Sequence, residues 1–208
     1  MMLENTCAKP FVKWVGGKTQ LLGEVEKSLP GNFDSIEDVV YVEPFVGGGA
    51  VLFWILQKYP NISQAVINDI NPELINVYRI IRDAPDKLIS TLQRYQDSYV
   101  GLDDGDRKEF YLLKRKLFNQ KAVSREEMAA LFIFLNKTCF NGLYRVNSKG
   151  EFNVPYGRYA NPRICDEANI LAASKVLQRV IILCGDFSET LPYASDRSLF
   201  YFDPRISH

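Results

Sequence analysis

Two consecutive strand–helix units between Val39 and Arg82 constrain this chain more than any other feature. Val39 to Phe45 is a β-branched and aromatic run ending at Gly47-Gly48-Gly49, and Ala50 to Tyr59 follows as a mostly apolar helix. Gln64 to Ile70 reads as a second strand. Asn71-Pro72-Glu73 then offers an N-cap, a first-turn proline and an early acid, opening a helix that reaches about Arg82. Strands separated by helices pair in parallel, and a parallel sheet is covered on both faces. The expected fold class is α/β.

The rhythm changes between about Ala84 and Gln178. Helical segments follow one another there, among them Ser124–Lys137, where Ser124 and Glu127 have capping-box spacing. A hairpin is predicted from Leu143–Asn147 and Glu151–Val154, turned at Ser148-Lys149-Gly150, and Asp166 can cap a last helix to Gln178. The sheet resumes with Val180–Phe187 and Ser198–Asp203, and an earlier helix spans Lys18 to Leu29. The predicted division is a sheet core at 1–83 and 179–208, with a mainly helical insertion at 84–178 carrying the hairpin.

A formal net charge of zero hides an uneven distribution. Arg107 to Arg179 holds 14 Lys and Arg against 6 Asp and Glu, while the rest holds 11 against 19. A basic middle suggests a polyanion-facing segment, although solvated helix faces produce the same count. No 18-residue apolar run is present and the start shows no apolar signal segment, so neither a membrane span nor secretion is expected. Cys7, Cys139, Cys165 and Cys184 are scattered without a C-x-x-C pair, and the only histidine is His208. That argues against a zinc site and fits reduced thiols in a cytoplasm.

Three short motifs carry chemistry. In Glu43-Pro44-Phe45-Val46-Gly47-Gly48-Gly49 a strand meets a glycine turn and a helix start, where backbone can approach a ligand. The spacing is not G-x-G-x-x-G, and a plain tight turn explains it equally well. Asp69, 20 residues past Gly49, can accept hydrogen bonds from a ribose or can form an Asx-turn into the Asn71 cap. Lys13-Trp14-Val15-Gly16-Gly17-Lys18 offers an indole face and two cations, or is simply a loop. Ser198–Asp203 delivers Asp203-Pro204 to a strand end, where open α/β sheets place their chemistry.

In order, Lys-Trp-x-Gly-Gly-Lys, Glu-Pro-Phe-x-Gly-Gly-Gly and Ile-Asn-Asp-Ile-Asn resemble the Dam family of DNA adenine-N6 methyltransferases. The match continues through Phe134-Leu135-Asn136, Phe140 to Asn147, Gly150 to Tyr159, Gly185-Asp186-Phe187 and Asp203-Pro204. The resemblance implies a Rossmann-like methyltransferase sheet using S-adenosyl-L-methionine on double-stranded DNA, with GATC as the target and no metal. Trp14 and Lys18 would contact that cofactor, Gly47, Gly48 and Gly49 would lie under its amino-acid part, Asp69 would bind its ribose and Asp186 would sit near its adenine. Asp203 and the Pro204 carbonyl would accept hydrogen bonds from the target amine, Asp203 also lying beside the cofactor. Phe140 is the wedge candidate beside Asn141, and Arg145 and Arg158 suit guanine edges. Lys13, Leu143 and Tyr159 match further DNA-contacting positions; the alternative for Phe140 and Leu143 is hairpin packing.

The family's Asp-Pro-Pro-Tyr stands here as Asp203-Pro204-Arg205-Ile206. The missing aromatic would stack on an extruded base, worth roughly 1–3 kcal/mol, so a rate penalty of about 10-fold to over 100-fold is expected. The family's later strands do not follow, which predicts a truncated or internally deleted product with an unprotected apolar edge at Leu199–Phe202. Three functions compete: an adenine-specific DNA methyltransferase, a non-catalytic DNA-binding remnant, and a methyltransferase for protein or small molecules. The long basic insertion argues against the third.

Overall fold

The computed structural model describes residues 6–14 and 21–204; Lys18 and Arg205 to His208 lie outside them. Four strands, β1 (Val39–Glu43), β2 (Ile62–Ile67), β3 (Val180–Ile182) and β4 (Ser198–Phe200), form one sheet. Its order is β3-β2-β1-β4 and every pairing is parallel, with Val42 opposite both Val66 and Phe200. Val42, Ala65, Val66 and Ile67 are fully buried, as a parallel sheet covered on both faces requires.

Three strands stop earlier than their apolar runs predict. β2 ends at Ile67 instead of Ile70, β3 at Ile182 instead of Phe187, and β4 at Phe200 instead of Asp203. Pairing sets these ends, since Ile182 is the last β3 residue opposite Ile67. Beyond it, Asp186 accepts from Ser188 N and starts a 3-10 turn over Phe187–Tyr193. The chain thereby places short loops, with their polar residues, just past the carboxyl ends of the strands.

The helices are α1 (Leu22–Lys27), α2 (Ala50–Lys58), α3 (Pro72–Asp83), α4 (Pro85–Val100), α5 (Asp104–Gln120), α6 (Arg125–Thr138) and α7 (Glu167–Leu177). Asn71, Ser124 and Asp166 cap α3, α6 and α7 by accepting from Leu74 N, Glu127 N and Asn169 N. α6 is apolar almost all round and packs against α3, α4 and α5, while α7 packs on α2 and α3. One hydrophobic cluster runs from the sheet through these helices.

The predicted hairpin is reduced to a single bridge, Val146 to Phe152, with Gly150 in the left-handed region at its turn. Asn147 N and Asn153 N still bond across the arms to the Glu151 and Arg145 carbonyls, but the alternate groups of the second arm find partners elsewhere. Asn119 exchanges two hydrogen bonds with Phe152, and Tyr111 and Arg115 donate to the Val154 carbonyl. These three side chains stand four residues apart on one face of α5, so a helix takes the place of ladder partners.

Candidate active site

The sheet order reverses beside β1, whose two neighbours, β2 and β4, come from connections running in opposite directions. In open α/β sheets, ligands bind outside the strand ends at such a switch point. A cleft of about 940 Å³ opens there, within the range usual for ligand sites. Lys13, Trp14, Gly47, Gly48, Gly49, Asp69, Asp186, Asp203 and Pro204 all line it, so five separate segments converge.

Each loop is held by its own bonds. Asp69 accepts from Gly47 N at 3.1 Å and from Asn71 N at 2.9 Å, so the Asx-turn and the place in the cleft coexist. Gly47 N is thereby spent on Asp69, and Gly49 N bonds to the Val46 carbonyl. The glycine turn consequently offers close approach more than free N–H groups. Gly47 lies at φ +50°, and a Cβ there would stand 2.7 Å from Trp14 Cδ1, so the indole rests directly on the turn. Trp14 also stacks on Tyr144 at 5.6 Å between ring centres and on Phe132 at 6.1 Å. Phe45 meets Phe187 at 5.9 Å and Phe202 at 6.4 Å, forming an apolar wall.

Three residues in or beneath the cleft lie inside the quoted motifs without being singled out there as site residues. Glu43 is buried at the end of β1 and accepts from Tyr41 Oη at 2.8 Å. Burial pushes its carboxyl up to about 8; the Tyr41 bond acts against this, while neighbouring Asp203 and Asp69 add to the rise. Asn68, also buried, donates to the Pro44 and Gly185 carbonyls and joins the ends of β1 and β3 through β2. Tyr144 lines the cleft from the other side. An acid or amide at a strand end has no spacing that marks it; only its burial does. By contrast, hydrogen bonds from the Ser188 side chain and then its backbone N–H lower the exposed Asp186 carboxyl. With Asp69, Asp186 and Asp203 against Lys13 among the described lining residues, and Glu43 held protonated by burial, the cleft suits a ligand carrying positive charge.

The remaining candidates do not line the cleft and connect to it through Lys13, which meets both Tyr159 and the end of the Phe140–Gly142 turn. Lys13 Nζ lies over the Tyr159 ring at 5.0 Å. Phe140 is 51% exposed, in a short 3-10 turn with Asn141 at φ 55°. That exposure sets it apart from Leu143, which packs half-buried against the core. Arg145 is exposed and donates through Nε to Asn153 Oδ1 at 2.8 Å. Arg158 is exposed with φ at 58°, a left-handed backbone that costs a non-glycine residue roughly 1–2 kcal/mol. Among the described residues no group of three or more His, Cys, Asp or Glu is placed to hold a metal, and no helix is long and apolar enough to cross a membrane.

A parallel sheet with a carboxylate-lined cleft at its switch point is the α/β architecture of the Rossmann-like methyltransferase fold. The family model for D12 class N6 adenine-specific DNA methyltransferases matches residues 14–205, and the chain belongs to that family. It is 51% identical over 198 residues to the type II methyltransferase M.MjaIII of Methanocaldococcus jannaschii, covering 94% of this chain and 68% of that protein. It is 40% identical to the type II methyltransferase M1.LlaDCHI of Lactococcus lactis, and 35% to the DNA adenine methylase of Haemophilus influenzae. These two matches cover 94% of this chain and 65% and 63% of those proteins, so the chain spans about two thirds of their length.

Proposed function

We propose that the protein transfers a methyl group from S-adenosyl-L-methionine to adenine N6 in double-stranded DNA, within GATC, in the cytoplasm at the nucleoid. The observation that carries this reading is the convergence of Asp69, the glycine turn and Asp203-Pro204 on one cleft, with Lys13 of its lining packed against Tyr159 and the Phe140–Gly142 turn. Residues 84–178 would supply target recognition, and 1–83 with 179–208 the transfer site.

The lining fits the cofactor. Asp69 is locked by two backbone amides yet keeps lone pairs for ribose hydroxyls, and Phe45 and Phe187 offer an apolar wall for a base. The acids suit a sulfonium and an ammonium, and the glycine turn borders the cleft with backbone free of side-chain bulk. When bound, S-adenosylmethionine supplies an electrophilic methyl group. Asp203 and the Pro204 carbonyl would accept hydrogen bonds from the target amine, orienting its lone pair and raising its electron density. Glu43, kept neutral by burial, limits the charge that crowds Asp203. Phe140 would wedge the duplex, Asn141, Leu143 and Tyr159 would line the path, and Lys13, Arg145 and Arg158 would meet phosphates or guanine edges.

The test is incubation with labelled S-adenosylmethionine and two duplexes, one with GATC and one scrambled. Label confined to the GATC duplex is the expected result; label in neither from a folded sample overturns catalysis. Arg205-Ile206, in place of the family's Pro-Tyr, favours a second reading in which the chain binds DNA without methylating it. A GATC-dependent gel shift without transferred label would establish that one.

A further inference from the structure

α6 buries nine residues, and only two of them, Asn136 and Thr138, are polar. Thr138 bonds back within its own helix to the Phe134 carbonyl at 2.7 Å. Asn136 does not serve its helix through its side chain. Its Oδ1 accepts from Lys13 N at 2.8 Å, and its Nδ2 donates to the Lys13 carbonyl at 2.8 Å and to the Gly142 carbonyl at 2.9 Å. A buried amide costs free energy unless its bonds are made, and here both donors and an acceptor are engaged.

The two segments joined this way are those bearing opposite halves of the proposed chemistry. Lys13 is gripped at both its N–H and its carbonyl, which fixes the chain where Trp14 leaves to lie on Gly47 and Gly48. Gly142 ends the turn that carries Phe140 and Asn141, and it sits at φ +64°. A Cβ at Gly142 would stand 2.5 Å from Lys13 Cδ, so the turn and the Lys13 segment touch without space between them. The other side of the turn is tied to α6 as well, since Phe140 N bonds to the Pro155 carbonyl and Gly157 N to the Thr138 carbonyl.

We propose that Asn136 is the positioning residue that sets the Lys13–Trp14 segment, whose indole faces the cofactor, and the DNA-facing Phe140–Gly142 turn in one fixed relation. It touches neither ligand and acts through both segments. The inference rests on the function proposed above for those segments, and it extends that function to a residue buried in the helical core.

The experiment uses the full chain in a Trp54→Phe background, so that Trp14 is the only indole. Asn136→Ala and Asn136→Asp remove the amide's donors, and Gly142→Ala attacks the same joint from the turn. Phe140→Ala and Asp69→Ala serve as one-sided references. For each, affinity for S-adenosylmethionine alone, affinity for a GATC duplex alone, and acrylamide quenching of Trp14 are measured well below the melting temperature. Each joint variant is expected to lose roughly 10-fold or more in both affinities and to expose Trp14 to quencher, the scale of lost buried hydrogen bonds. Each reference should lose one affinity only. If Asn136→Ala does not fold, Asn136→Asp and Gly142→Ala decide. A folded joint variant that keeps either affinity, or leaves Trp14 quenching unchanged, overturns the proposal. Should the parent chain bind neither ligand, the functional reading fails while Trp14 quenching alone still decides the positioning role.

Discussion

The cleft at the strand ends and the rim formed by Phe140, Arg145 and Arg158 are built on opposite terms. In the cleft, side chains are fixed by backbone: Asp69 by two amides, Asn68 by two carbonyls, Glu43 by burial beside Tyr41. At the rim, Phe140 and Arg158 are exposed, Arg145 leans on one asparagine, and Asn141 and Arg158 adopt left-handed backbone. The sheet can impose a geometry on groups at its edge because its register is shared by many bonds. Short turns have no such register, and there side-chain reach is gained at a cost in backbone strain. Substitutions should therefore act differently in the two regions, chiefly on stability and cofactor in one and on DNA alone in the other.

The largest expected effect is at Glu43. Its carboxyl stands near 8 in the fold against 4.5 in the open chain, so the folded state holds a proton that the unfolded state has lost. The stabilisation is complete below about pH 4.5, declines as pH rises, and is gone above about 8. Glu43→Gln keeps an acceptor for Tyr41 and cannot ionise. It should match the parent near pH 5 and exceed it at pH 9 by up to about 5 kcal/mol, the full shift converted at 1.36 kcal/mol per unit. Urea midpoints at pH 5, 7 and 9 measure this; parallel slopes for the two proteins would show that Glu43 ionises normally.

Asp69→Ala probes the same region through ligand binding. Losing a charged acceptor costs about 1.5–3 kcal/mol, so affinity for S-adenosylmethionine should fall roughly 10- to 150-fold while DNA affinity holds. Calorimetric titration with each ligand separates the two, and an equal loss for DNA would erase the contrast between cleft and rim.

Arg158→Gly sharpens that contrast from the other side. Glycine accepts φ 58° freely, so the variant should be as stable as the parent or more stable by about 1 kcal/mol. Loss of a guanine or phosphate contact should nevertheless weaken GATC binding by about 1–3 kcal/mol. A thermal melt and a fluorescence anisotropy titration on the same sample decide it. A less stable variant would mean that the arginine side chain holds the fold together.

What the sequence disclosed follows the same division between local and shared causes. Asn71, Ser124 and Asp166 are legible as caps because a cap is decided within three residues. The strand–helix order from Val39 to Asp83 is legible because hydrophobic period is local too. Strand ends are not, since β3 stops where its pairing with β2 stops. The hairpin arms carry the right residues, yet Tyr111, Arg115 and Asn119 from a distant helix take their bonding groups. The same limit hides Glu43 and Asn68 as site residues, because what distinguishes them is burial created by other segments. Asp69 shows a subtler case, in which the Asx-turn is made and the same carboxylate still lines the cleft, so the two readings that compete on spacing do not exclude each other.

The smallest expected effects come from a matched pair of caps, one beside the cleft and one at the far end of α6. Asn71→Ala and Ser124→Ala each remove one side-chain bond to a helix N–H, at 3.0 and 3.2 Å, and each should cost about 1 kcal/mol of stability. Their functional consequences should part. Asn71 N is also the donor that holds Asp69 Oδ1, so loosening the start of α3 reaches the carboxylate directly. Ser124 starts α6, whose buried length separates that cap from Asn136 and the Lys13 segment. Asn71→Ala should therefore lower cofactor affinity by about 3-fold or more beyond its effect on folding, while Ser124→Ala leaves it within error, the N-cap energy being converted at about 1.4 kcal/mol per tenfold. Equal affinities in the two variants would show that the cleft is held by the sheet alone and that the helix start behind Asp69 contributes nothing to it.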